Sequence, residues 1–318
     1  MRLATLDNGA PDGALVIVSR DATRCLPGAP VADTLQQAIE QWTVAEPHLR
    51  AIADRLDRGE GALLDHALLL APLPRAWQWL DGSAFPQHGE LMQKAFNLPP
   101  IETEWPLMYQ GLSDRFLSGT QDVPLPSEDD GIDFEGEFGI ITGAVPMGTT
   151  PQDALSHIKL VLLINDWSLR AIAPIEMKTG FGWVQAKPAC SVAPFAVTPD
   201  ELGEAWADGR VHLPLHVTLD GVWFGHPHGG EMAFGFHDLV AHAARTRDLV
   251  AGTIIGSGTV SNAAYDEVGS CCLSERRAIE MIRDHASQIP FLKFGDRVRM
   301  EVPGNHFGHI DQRVVLAG

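Results

Sequence analysis

From residue 132 the chain reads Ile-Asp-Phe-Glu-Gly-Glu-Phe, and this alternation of apolar and acidic side chains predicts a β-strand with two unlike faces. Period two places Asp133, Glu135 and Glu137 on one side and Ile132, Phe134 and Phe138 on the other. Carboxylates two residues apart on a strand stand roughly 7 Å from each other, so they repel and are also spaced to share one hard cation. Such a face needs a metal, a basic partner or open water, and for the pattern alone a solvated edge strand is the commoner case. Two neighbouring runs argue against the edge. Gly139-Ile140-Ile141-Thr142-Gly143 continues as apolar β-type sequence, and residues 160–164 read as a short buried strand that stops at Asn165-Asp166-Trp167. A carboxylate at the end of an interior strand is a common place for a third ligand.

The same patterning organises the rest. Residues 13–18 predict a strand, and residues 34–56 a helix with Leu35, Ala38, Ile39 and Trp42 on one side. These belong to a small α/β N-terminal domain, residues 1–71. Residues 72–318, rich in Pro, Gly and short apolar runs, form a larger β-rich domain. Thr150 and Pro151 are an N-cap and first helical position, for a helix running to about Lys159. Further strands are expected at 212–219, 252–256 and 297–302, and Asp220-Gly221 marks a hairpin.

Composition narrows the function. A chain of 318 residues with 45% hydrophobic and 20% charged residues is a folded globular protein. A formal net charge of −18 without a basic stripe excludes nucleic acid as the expected partner. The N-terminus lacks a signal-type apolar stretch and no run matches a membrane span, so the expected location is cytoplasmic. Cys25, Cys190, Cys271 and Cys272 have neither zinc-ligand nor secreted-disulfide spacing and are expected to be buried thiols. His88 taken alone is a surface histidine. His226-Pro227-His228 reads as a surface turn rather than a zinc site, and Arg170 and Lys187 are surface cations unless they face a metal, where they would bind anions.

In combination, Asp81 with His88, Tyr109-Gln110-Gly111, Asp133-Phe134-Glu135-Gly136-Glu137, Asn165-Asp166-Trp167-Ser168-Leu169-Arg170, Lys187 and Gly256-Ser257-Gly258-Thr259 strongly resemble the fumarylacetoacetate hydrolase family, nearest to its short bacterial fumarylacetoacetases. The resemblance runs from about residue 72 to the C-terminus. It implies an α+β fold, a mixed β-sheet roll with the small N-terminal domain appended. It also implies metal ligands at Asp81, Glu135, Glu137 and Asp166, for Mg²⁺, Ca²⁺ or Mn²⁺. By the same resemblance His88 is the general base, and Glu275, preferred over Glu267, orients it. Tyr109, Arg170, Lys187, Gly258 and Thr259 contact substrate, and Arg170 or Gln185 assists Lys187 in stabilising the oxyanion.

The implied reaction is metal-dependent hydrolysis of a carbon–carbon bond in a dicarboxylic β-diketo acid, fumarylacetoacetate or an acylpyruvate, as in tyrosine or other aromatic catabolism. The alternatives are a 2-oxo-acid decarboxylase, hydratase or isomerase on the same scaffold, and a non-catalytic metal- or carboxylate-binding protein. The family's usual substrate-binding Gln after the Asn-Asp-Trp-Ser segment is replaced by Ala171-Ile172-Ala173-Pro174, so the acyl group stays unassigned. A homodimer is expected, with Trp77-Gln78-Trp79-Leu80 serving either an interface or the core. The segments 113–130 and 226–231 are candidate lids, and Asp133 is expected at an exposed strand start.

Overall fold

A computed structural model describes residues 1–100 and 103–318. Its central feature is a 12-stranded mixed sheet. The strands used below are β1 (Arg2–Leu6), β2 (Ala14–Val18), β3 (Arg24–Pro27), β4 (Ala62–Leu63), β5 (Gln78–Gly82), β6 (Met108–Gly111), β7 (Gly136–Thr142), β8 (Ile158–Asn165), β9 (Ala196–Val197) and β10 (Thr253–Gly256). Their order across the sheet is β4-β3-β2-β1-β9-β8-β7-β10-β5-β6. A second sheet of five strands is built from 123–125, 216–219, 222–225, 297–301 and 309–316. The helices are α1 (Leu35–Glu40), α2 (Trp42–Asp57), α3 (Pro86–Phe96) and α4 (Leu273–Asp284), with shorter ones between. This is the α+β, mixed-sheet architecture expected.

Alternation along the central strands separates two cores. Phe138, Ile140, Leu163, Ile255 and Leu80 point into the larger one, against the second sheet. Ile141, Leu162, Ile164, Ile254 and Trp79 point the other way and meet Leu3, Ile17, Leu35, Trp42 and Leu49. Sheet and core therefore run without a break from the N-terminal segment into the rest, joined where Arg2 pairs Val197 and Leu3 pairs Ala196. Strands buried on both faces read as continuous apolar runs, as residues 160–164 do.

The hairpin at Asp220-Gly221 is present, both residues in the left-handed region (φ 50° and 77°) that its right-handed strand twist requires. Thr150 caps Pro151–Ala154, but that helix is one turn and passes through Leu155–His157 into β8 at Ile158, earlier than expected. The expected single helix at 34–56 is two, split at Gln41. Neither candidate lid is free. Residues 113–130 bury Phe116, Leu117, Val123 and Leu125 and contribute strands to both sheets, while Pro227 and Gly229 bond the backbone of Leu215 and Leu213. All four cysteines are buried thiols. Among the described residues no helix is long and apolar enough to cross a membrane.

Candidate active site and metal centre

Three strands deliver three buried carboxylates to one point. Asp81 lies near the end of β5, Glu137 in β7 and Asp166 directly after β8, and oxygens from all three lie within 4.8 Å of one another. Asp81 and Glu137 project from the sheet face that carries Trp79 and Ile141. The strand between them, β10, presents Gly256 there: a Cβ at this position would stand 2.5 Å from Asp81 Oδ1 and 2.9 Å from Glu137 Oε2. Glycine is what leaves room for the cluster.

The electrostatics are those of an ion site. Both oxygens of Glu137 are buried without a hydrogen-bond partner. Burial first and the Asp81 charge second push its carboxyl well above the ordinary range, and burial together with Asp166 pushes Asp81 up to about 8. Orphaned buried oxygens and an oxygen-only donor set fit a hard divalent ion.

Around the cluster stands a ring of donors. Asp166 Oδ2 accepts from the Tyr109 hydroxyl (2.5 Å) and Lys187 Nζ (2.6 Å), and Oδ1 accepts from the Cys190 thiol (2.9 Å). Burial and then Asp166 keep Tyr109 a neutral phenol, with its pKa raised well above normal. Glu135 lies beside the cluster, its Oε1 accepting from Ser168 Oγ (2.6 Å), Arg170 Nη2 (2.7 Å) and Lys187 Nζ (2.9 Å), its Oε2 from Thr259 Oγ1 (2.6 Å). Burial alone would raise Glu135; Lys187 and Arg170 outweigh it and hold the carboxyl well below the usual range. For Lys187, burial opposes the charge and Asp166 and Glu135 restore it, so it stays an ammonium. Gly258, with φ +77°, donates its backbone N–H to Asp81 Oδ1 at 3.1 Å.

Two helices bring in the remaining pair. His88 sits in the first turn of α3 and Glu275 in that of α4, and His88 Nδ1 lies 3.0 Å from Glu275 Oε1. Glu275 is 1% exposed and His88 20%, so the imidazole is the more exposed of the pair and the carboxylate is buried behind it. Of the two glutamates weighed from sequence, Glu275 is the one that reaches His88.

Asp133 overturns its expectation. It is fully buried, because Oδ1 accepts from the backbone of Phe134 (2.8 Å) and Leu273 (2.7 Å) and Oδ2 from Ser274 (3.0 Å) and Arg170 Nε (2.8 Å). One carboxylate thus ties the strand, the N-terminus of α4 and Arg170 together. Gln185 also departs from expectation: it is exposed, and its backbone N–H is held by Glu176 at 2.9 Å.

The model of the fumarylacetoacetate (FAA) hydrolase C-terminal domain matches residues 78–315, and that of fumarylacetoacetase N-terminal domain 2 matches residues 1–75. The chain belongs to the fumarylacetoacetate hydrolase family. A 2,4-didehydro-3-deoxy-L-rhamnonate hydrolase of Sphingomonas sp. (strain SKA58) is 27% identical over 163 residues, 50% of this chain and 54% of that protein. A mitochondrial oxaloacetate tautomerase of Rattus norvegicus is 22% identical over 157 residues, 48% of each. The chain spans about half the length of the curated relatives it matches. Among solved structures, maleylpyruvate hydrolase from Sphingobium sp. SYK-6 in complex with manganese(II) ion and pyruvate superposes with TM-score 0.69 at 17% identity over 100% of both chains. Fumarylacetoacetate hydrolase from Exiguobacterium antarcticum gives 0.67 at 18% over 99% of both. At such identities these share the fold. Ser168, Cys190 and Gly256 were not singled out as site residues from sequence; of these Gly256 alone left a signal, in the Gly-Ser-Gly-Thr run.

Proposed function

We propose that this protein is a divalent-metal-dependent hydrolase that cleaves a carbon–carbon bond of a β-diketo acid such as fumarylacetoacetate or an acylpyruvate. The observation that carries this reading is the His88–Glu275 pair together with a buried three-carboxylate cluster flanked by Arg170 and Lys187. Asp81, Glu137 and Asp166 would hold the ion, with Glu135 alongside. When bound, it supplies Lewis acidity toward the substrate's enolisable oxygens. The manganese and pyruvate held by the Sphingobium maleylpyruvate hydrolase are consistent with an ion and a 2-oxo acid in such a site.

The chain's own residues supply the rest. Glu275 accepts a hydrogen bond from His88 Nδ1–H, which leaves the Nε2 lone pair to accept a proton. His88 takes a proton from that water as its oxygen attacks the substrate carbonyl, and Glu275 stabilises the imidazolium that forms. The oxyanion is stabilised by Lys187 and Arg170. Its collapse breaks the carbon–carbon bond, giving a carboxylic acid and an enolate, and His88 returns its proton toward the carbanion carbon. Net, one water is added across the bond.

His88→Ala is expected to lower kcat by about 10²- to 10⁴-fold, with Mn²⁺ affinity by calorimetry unchanged; wild-type turnover would remove His88 from the base role. Loss of diketone absorbance with fumarylacetoacetate, fumarylpyruvate or another acylpyruvate sets the reaction class. The tautomerase relatives define the competing reading, since a His–Glu pair also moves protons between carbon and oxygen; keto–enol exchange of oxaloacetate without diketone cleavage would establish it.

A further inference from the structure

Among the described residues a second cluster of potential ligands lies apart from the three carboxylates. A ring nitrogen of His88, the Cys272 sulfur and a Glu275 oxygen lie within 4.8 Å of one another. Its donors are unlike those of the carboxylate cluster. Asp81, Glu137 and Asp166 offer oxygen alone, which suits Mg²⁺, Ca²⁺ and Mn²⁺. Imidazole nitrogen, sulfur and one carboxylate make a set that Mg²⁺ and Ca²⁺ bind poorly and Zn²⁺ binds well.

The fold holds these donors in place. Cys272 is the N-cap of α4, its sulfur accepting the Glu275 N–H at 3.3 Å, and the Glu275 side chain reaches His88 on α3. Cys272 is fully buried and His88 is 20% exposed, so the ion's path runs past the imidazole. Bonds of about 2.0–2.3 Å to one ion span the three atoms once ring and sulfur draw in. A net charge of −18 concentrates cations near the surface.

We propose that His88, Cys272 and Glu275 form a second metal site, selective for Zn²⁺ or an ion of like softness, whose filling shuts off catalysis. The shut-off rests on the proposed role of His88 as base. As the ion binds, the Cys272 thiol releases its proton to solvent and a sulfur–metal bond forms. The ion also takes the place between His88 Nδ1 and Glu275, so the neutral ring carries its proton on Nε2. That nitrogen then has no lone pair with which to accept a proton from water.

The test uses enzyme saturated with Mg²⁺, titrated with Zn²⁺ for activity and, separately, with Co²⁺ for absorption. Expected are inhibition that excess Mg²⁺ does not relieve and a thiolate-to-cobalt charge-transfer band. Cys272→Ser, which keeps a side-chain cap, should retain basal activity, lose the band and weaken inhibition about 10- to 100-fold; Cys272→Ala should likewise lose the band and weaken inhibition. No thiolate band, equal inhibition of both variants, or relief by Mg²⁺ would overturn the site. A band with undiminished hydrolysis would overturn the shut-off, and with it the assignment of His88 as base, while leaving the metal site intact.

Discussion

Glu137 shows how far a residue's role depends on what surrounds it. In sequence it is one of three equivalent acids. In the fold Asp133 is neutralised by four donors and Glu135 by four more, and Glu137 alone has none. Removing its charge should therefore have opposite effects with and without metal. Glu137→Gln is expected to melt higher than wild type in chelator, because a repelled buried carboxylate is gone, and to lose Mn²⁺ binding and activity; a lower melting temperature in chelator would contradict this. Asp81 makes the same point through pH. Its carboxyl is pushed from 3.8 up to about 8, so between these values the folded chain holds a proton that the unfolded chain has released. Asp81's contribution to the stability of chelated protein should be full below about pH 4 and lost toward about pH 8, so added Mn²⁺ should raise the melting temperature more at the upper end. Asp133→Asn offers one acceptor oxygen to donors that now use two. It should destabilise by about 1–3 kcal/mol in denaturant titration and reduce kcat through the loosened α4 N-terminus.

Among the elements, β10 is the one whose sequence is most constrained by its neighbours. It lies between β7 and β5, with Gly256 paired to Gly139 on one side and Asp81 on the other. Gly256→Ala would drive a methyl into Asp81 and Glu137 and also 2.4 Å from Trp79. Metal affinity should fall at least about tenfold while the strand still pairs; an unchanged calorimetric affinity would show that the cluster tolerates displacement. The helices contribute by their ends. The first turns of α3 and α4 lie side by side and carry His88 and Glu275. Neither helix was legible: the segment leading to His88 reads as a loop although α3 opens at Pro86, and the approach of α4, 187 residues later in the chain, leaves no local signal.

At the scale of the whole molecule, one sheet and one apolar layer join the first 70 or so residues to the rest. Leu3, Ile17 and Trp42 pack in the same cluster as Leu162, Ile164 and Ile254. A single calorimetric unfolding transition is expected, and two separated transitions would show that the N-terminal segment folds on its own. Strands β2, β7, β8 and β10 were legible because burial on both faces writes a continuous apolar run and burial on one face writes alternation, whereas β1, β5, β6 and the strand at 309–316 were not. The Asp-Gly turn was legible because few residue pairs adopt two positive φ angles in succession. The amino-acid order by itself thus determined where the central strands β2, β7, β8 and β10 run, which residues carry chemistry and which family motif they compose. Only the tertiary structure decided which acids repel and which are neutralised, that Asp133 is a buried tie and that Glu275 faces His88. Pairing energies depend on distance across the fold, and residues far apart in the chain acquire that distance only when the sheet closes.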